Sequence, residues 1–220
     1  MRLIRRLQDT APITRALWLA LLVLSALWLW AEPGWAGFAN YFGFRALYMQ
    51  YSGVLAIGAM SACMLLALRP RAVERLLGGL DKMYRLHKWL GITALVTAVA
   101  HWWLGQGTKW MVGWGWIERR PRGPRPPQVE QGVVEAFLGQ WRHLAEDVGE
   151  WAFYAAALLM VLALVKRFPY RWFAKTHQLL ALGYLALVAH SVVLMRFSYW
   201  ATPLGVVVAL MMAGDRKSTR

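Results

Sequence analysis

Residues 82–103, KMYRLHKWLGITALVTAVAHWW, set one histidine at each end of an apolar helix, His87 and His101, with thirteen residues between them. Residues 176–191, THQLLALGYLALVAHS, repeat the arrangement with His177 and His190, twelve residues intervening. The remaining sequence reads as a frame that holds these four imidazoles inside a membrane.

The chain has 220 residues, 59% of them hydrophobic. The apolar residues come in unbroken blocks that approach the ~20 residues needed to cross ~30 Å of hydrocarbon. A soluble domain of this size would interleave them with polar residues. An all-α membrane protein follows.

The net charge of +14 is distributed by topology. With the N-terminus inside, the inner segments hold Arg2, Arg5, Arg6, Arg15, Arg69, Arg71, Arg75, Lys82, Arg85, Lys88, Lys166, Arg167, Arg171, Lys175, Arg216, Lys217 and Arg220. That is 17 of the 25 basic residues against four acids. The outer segments carry Arg45, Lys109, Arg119, Arg120, Arg122, Arg125 and Arg142 against seven acids, which leaves them near neutral. This asymmetry predicts an N-in, C-in topology and argues against nucleic acid as a partner. The single cysteine, Cys63, lies in an apolar run, so one chain offers neither a disulfide framework nor a CxxC site.

Six spans are predicted. Residues 1–15 form a basic cytoplasmic lead, and the first span covers 16–31, ended by Glu32-Pro33-Gly34. The same lead and apolar core also fit a secretory signal peptide. The second span, 45–68, stops at Arg69-Pro70-Arg71, and ERLLGGLDKMYR in the inner connection suggests a short interfacial helix. The third covers 85–104. The outer segment 105–147 has an aromatic half (109–116), a turn-rich linker RRPRGPRPP (119–127) and a surface helix around 130–145. The fourth and fifth spans cover 148–165 and 176–195. The sixth, 200–213, is short for a crossing, and 215–220 form a cytoplasmic tail. The domain is thus 16–214, and the tryptophans suit a membrane-interface belt.

Ionisable side chains inside hydrocarbon are expensive and point to function. At ~1.5 Å per residue, His87 and His101 are ~21 Å apart, and His177 and His190 ~20 Å. Spans three and five both run outward, so His87 shares a depth with His177 and His101 shares one with His190. Neutral imidazole binds iron well, and two b-type haems between spans three and five fit these positions. The rotation is less simple. Fourteen steps return a side chain to within ~40° of the same face, whereas thirteen leave it ~140° away. Span five is therefore expected to be distorted, tilted or offset, and Gly183 could host a kink or π-bulge, as could Gly91 in span three. Zinc and di-iron sites want carboxylates close to the histidines, and these spans hold none. His143, beside Arg142, reads as a surface residue.

The paired H-x13-H and H-x12-H, with LDKMYRLHKWLGI and QGTKWMVGWGW around them, resemble the ferric reductase and NADPH oxidase transmembrane domain, and bacterial ferric-reductase-like proteins in particular. The resemblance implies a six-helix bundle with two bis-histidine haems, His87 with His177 on the inner one and His101 with His190 on the outer. It also implies an arginine near a haem at the outer start of span two. Arg45 occupies that place, where its guanidinium would pair with a propionate. An ordinary interfacial arginine is the other reading of that residue. Arg85, Lys88 and Lys175 are read first as topological charges, and Trp102, Trp103 and Phe197 as packing or a lipid-facing belt near the outer site.

The function so implied is a diheme cytochrome b of the bacterial inner membrane, an oxidoreductase component. It would pass electrons singly from a cytoplasmic flavin and NAD(P)H donor to an outer-face acceptor. The chain ends at Arg220 and shows no G-x-G-x-x-G in a strand–helix setting, so FAD and NAD(P)H would come through a separate flavin reductase or a missing C-terminal domain. One alternative is a haem subunit feeding a periplasmic methionine-sulfoxide-type reductase. Another is a non-redox membrane protein. Membrane lipid is a partner in every case.

Overall fold

Prolines and glycines punctuate this chain, and helices fill the intervals. The computed structural model describes the backbone of residues 2–38, 40–118 and 132–213, and the side chains among these from residue 11 onward. The linker at 119–127 and the tail at 215–220 lie outside the described residues, as do the side chains of the basic lead up to residue 10. All regular structure among the described residues is helical. The elements are α1 (Arg2–Ala31), α2 (Tyr41–Ala67), α3 (Arg71–Leu77), α4 (Leu80–Gly113), α5 (Val133–Gln140), α6 (Arg142–Leu164), α7 (Tyr170–Leu194), α8 (Phe197–Trp200) and α9 (Pro203–Ala213).

Among the described residues four helices are long and apolar enough to cross a membrane: Ala11–Ala31 within α1, then α2, α6 and α7. Two of the six expected spans fall outside that set. The 34-residue α4 is long enough, but its first turns carry Lys82, Arg85 and Lys88 around His87, which lowers its hydropathy. The 11-residue α9 rises only ~16 Å, about half a bilayer. Several helix ends also differ from the sequence reading. Residues of the lead are continuous with α1, α4 runs on to Gly113 through part of the aromatic segment, and α6 already starts at Arg142.

The boundaries have local causes. Pro70 and Pro169 sit at the N-caps of α3 and α7, where a missing N–H costs nothing. Gly78, at φ 79°, takes the left-handed conformation that ends α3, and the N–H groups of Gly78 and Gly79 both donate to Glu74 O. The expected interfacial segment is thereby split, its first part forming α3 and DKMYR opening α4.

The chain forms two compact units, the first from Met1–Pro33, Val54–Thr97 and Ser198–Arg220, the second from Gly34–Gly53 and Ala98–Phe197. In the first unit α1 packs on α9. Leu24 of α1 fills the notch left by Gly58 of α2, and Leu204 and Val208 of α9 are fully buried. Glu32, at the end of α1, is buried and accepts a 2.6 Å hydrogen bond from Tyr199 Oη. Burying a carboxylate demands such a donor.

In the second unit α6 and α7 are antiparallel, joined by residues 165–169. The buried face of α6 is a stripe of small residues, Ala145, Gly149, Ala152 and Ala156. Small residues let helix backbones approach closely where lipid offers no hydrophobic drive between helices. The opposite faces stay apolar and exposed. Trp151 of α6 is 74% exposed, as Trp30 of α1 is 76% in the other unit. Apolar exposure on this scale suits a lipid solvent.

No π turn occurs at Gly183 or at Gly91, because both α7 and α4 are α-helical throughout. At Gly183 a Cβ would lie 3.8 Å from Ala156 Cβ of α6, an ordinary van der Waals contact.

Gly205 at the start of α9 has no such latitude. A Cβ there would sit 2.5 Å from Tyr199 O and 2.6 Å from Trp200 Cα, both backbone atoms. Gly205→Ala should therefore cost the first unit about 1–3 kcal/mol. The check is a lowered unfolding midpoint in detergent, and an unchanged midpoint would refute it.

Candidate functional site

The second unit brings two of the four helix histidines together. His101 comes from the C-terminal half of α4 and His190 from α7, and their rings lie 6.3 Å apart centre to centre, at 82° to each other.

Each ring is oriented by a backbone carbonyl of a different helix. His101 Nδ1 lies 2.9 Å from Met49 O of α2, and His190 Nδ1 lies 2.8 Å from Ala145 O of α6. A carbonyl can only accept, so both Nδ1 atoms carry the proton and both Nε2 atoms keep a lone pair. An imidazole that donates one N–H to a carbonyl and offers the other nitrogen is arranged as a metal ligand.

The two rings also lie where glycines leave room. A Cβ on Gly53 would come within 3.3 Å of His101 Cε1, and a Cβ on Gly149 would overlap the His190 ring outright. Ser52 of α2 adds its Oγ at 3.2 Å from His101 Nδ1. Gln50 of α2 holds the end of α7, its Nε2 donating to Leu194 O at 3.3 Å while Arg196 N donates to its Oε1 at 3.1 Å. One turn of α2 thus orients His101 directly and braces the helix end that follows His190.

The chemistry this allows is narrow. With metal–nitrogen bonds of about 2 Å, two imidazoles could share one metal at a ring-centre separation of about 6 Å. That matches the observed separation. Among the described residues no group of three or more His, Cys, Asp or Glu converges as a metal site. Two imidazole nitrogens with no further protein ligand would suit a metal that brings its own macrocycle, and the residues present fit haem.

His87 belongs to the first unit and His177 to the second. His87 Nδ1 donates to Cys63 O of α2 at 3.1 Å, while Cys63 Sγ donates back to His87 O at 3.3 Å. His87 is therefore held in the same tautomer as His101 and His190. His177 stacks on Phe173, ring centres 5.0 Å apart. Arg45 donates from Nε to Leu104 O of α4 at 2.8 Å. Among the described residues no other acceptor is recorded at its guanidinium, which leaves its terminal nitrogens to meet an anion. Trp102 stacks on Phe153 and donates from Nε1 to Tyr154 Oη at 3.1 Å, so it packs within the protein. Trp103 and Phe197 are exposed, as is His143.

Sequence reasoning missed Ser52, Gly53, Gln50 and Gly149. Only the last left a signal, the A-x3-G-x2-A-x3-A spacing of small residues that ends at Ala156. Gly149→Ala should push the His190 ring off Ala145 O. The variant should fold yet lose the His190 side of the site, read as a changed His190 environment in its NMR spectrum. An unmoved His190 signal would contradict the contact.

Residues 52–188, well over half the chain, match the family described as Ferric reductase like transmembrane component. The match includes His87, His101 and His177, begins after Arg45 and ends just before His190. No curated protein matches the chain. Members of the matched family typically bind haem. With several full-length apolar helices and this match, the chain is a multi-pass membrane protein that belongs to the ferric reductase-like transmembrane component family.

Proposed function

We propose that the protein is a diheme cytochrome b that passes electrons singly from a cytoplasmic flavin and NAD(P)H donor to an acceptor on the outer face of a bacterial inner membrane. The observation that carries this reading is the crossed pair His101 and His190, each with Nδ1–H tied to a carbonyl and Nε2 left with its lone pair. Bound haem would supply a one-electron iron couple between those nitrogens.

The residues of the chain do the rest. His101 and His190 hold the outer haem, and Arg45 neutralises a propionate with the nitrogens that Leu104 O leaves over. His87 and His177 hold the inner haem, a reading that rests on the sequence pattern and on the His87 tautomer. Imidazoles at two depths divide a crossing of about 30 Å into shorter steps. The proposed arrangement has six crossings, N-in and C-in. In it α4 crosses despite its charged first turns, whose Arg85 and Lys88 stay at the inner surface, and α9 completes a crossing with its neighbours. The domain spans 16–214 between a basic lead and a short tail. The dehydrogenase that delivers electrons is a separate flavin reductase or a further domain.

Protein purified from cells with ample haem should show a reduced b-type spectrum and about two haems per chain. His101→Ala and His190→Ala should each remove about half of that signal, and the double variant no more than either alone. A colourless protein sinks the electron-transfer reading. Full haem content in His101→Ala removes this residue from the ligand set.

A further inference from the structure

The two histidines of the outer site are not held alike. His190 Nδ1 meets one acceptor, Ala145 O at 2.8 Å. His101 Nδ1 meets two, Met49 O at 2.9 Å and Ser52 Oγ at 3.2 Å. Ser52 is buried, with 7% of its surface exposed, so water does not compete for its hydroxyl.

The direction of these bonds follows from counting protons. A serine hydroxyl carries one, and its shortest contact is Tyr48 O at 2.6 Å, against 3.3 Å to Met49 O. Tyr48 O can only accept, so the Ser52 proton points there and an Oγ lone pair faces His101. Met49 O likewise forces the proton of His101 onto Nδ1. The imidazole N–H is therefore shared between a carbonyl and a hydroxyl oxygen that is itself polarised by donating to another carbonyl. Such chains strengthen the acceptor. Gly53, the next residue, keeps the α2 backbone close enough to the ring for this contact.

We propose that Ser52 is a positioning and tuning residue for His101. By drawing on Nδ1–H it raises the electron-donating power of Nε2 and stabilises the oxidised state of the metal that nitrogen ligates. The inference deepens the function proposed above and rests on His101 being a haem ligand. It sets the outer haem's potential lower than His101 would with Met49 O alone. A lower potential at the exit makes the electron easier to hand on.

One hydrogen bond of this kind contributes about 0.5–1.5 kcal/mol, or roughly threefold to tenfold in an equilibrium constant. In Ser52→Ala the reduced-to-oxidised ratio of one haem, at a fixed applied potential, should rise by about that factor. At 59 mV per tenfold for one electron, the midpoint moves up by about 30–60 mV. The other haem should stay where it was. Ser52→Thr, which keeps the hydroxyl, should restore the wild-type midpoint.

The measurement is a spectroelectrochemical titration of purified, haem-loaded protein with both midpoints resolved, alongside His101→Ala. If Ser52→Ala retains both haems and neither midpoint moves, while His101→Ala loses haem, the tuning role fails and the ligand assignment stands. If His101→Ala keeps its full haem content, the ligand assignment fails first. Equal shifts of both midpoints would mean a general structural change and would also overturn the proposal. Should Ser52→Ala lose haem, Ser52→Cys fills a similar volume with a much weaker acceptor. An upward shift of one midpoint there supports the role, and none refutes it.

Discussion

A neutral imidazole inside a helix bundle has one N–H that must find an acceptor, and leaving it unmet costs about 1–3 kcal/mol. Three times in this protein a backbone carbonyl of a neighbouring helix meets that need: Cys63 O for His87, Met49 O for His101, Ala145 O for His190. The carbonyls already serve their own helices, and a second lone pair receives the imidazole. One interaction thus satisfies the buried donor, fixes the ring and selects the tautomer whose Nε2 can bind a metal. Met49 and Cys63 are fourteen residues apart on α2, the same interval that separates His87 from His101 on α4.

A hydrogen bond from a ring to a neighbour's backbone leaves little room between helices, and the small residues follow from that. Gly149 must lack a Cβ because the His190 ring occupies its place. Seven residues on, Ala156 meets Gly183, seven residues before His190. Gly149 thus makes room for a ring between the antiparallel helices α6 and α7, and Ala156 and Gly183 bring small residues together at a second level. Without a hydrophobic drive between helices in lipid, this fit is a main source of their association.

The same economy explains α4. Its first turns carry Lys82, Arg85, His87 and Lys88, its end carries Trp110, and Trp114 follows just beyond it. A helix with charge at one end, aromatic residues at the other and histidines between is a poor candidate by hydropathy alone, and a reasonable one for placing ligands at two depths. Long basic side chains can reach the interface while their stems stay apolar.

The helical class, the apolar blocks and the spacing of the four histidines were legible in the residues, because hydropathy and helical rise are local properties. The family followed from the same motifs. The π-bulge considered at Gly183 is absent, since α7 stays α-helical there, and a glycine that distorts a helix looks identical in sequence to one that does not. Nor could the partners of His87, His101 and His190 be read, because a backbone carbonyl has no side-chain signature. Ser52 and Gly149 look like ordinary helix residues until α4 and α7 bring imidazoles against them. The sequence by itself determined which side chains were available to bind a metal and at what intervals along their helices. Only the tertiary structure decided which nitrogen each ring presents, because that depends on which carbonyl of another helix lies within three ångströms or so of it.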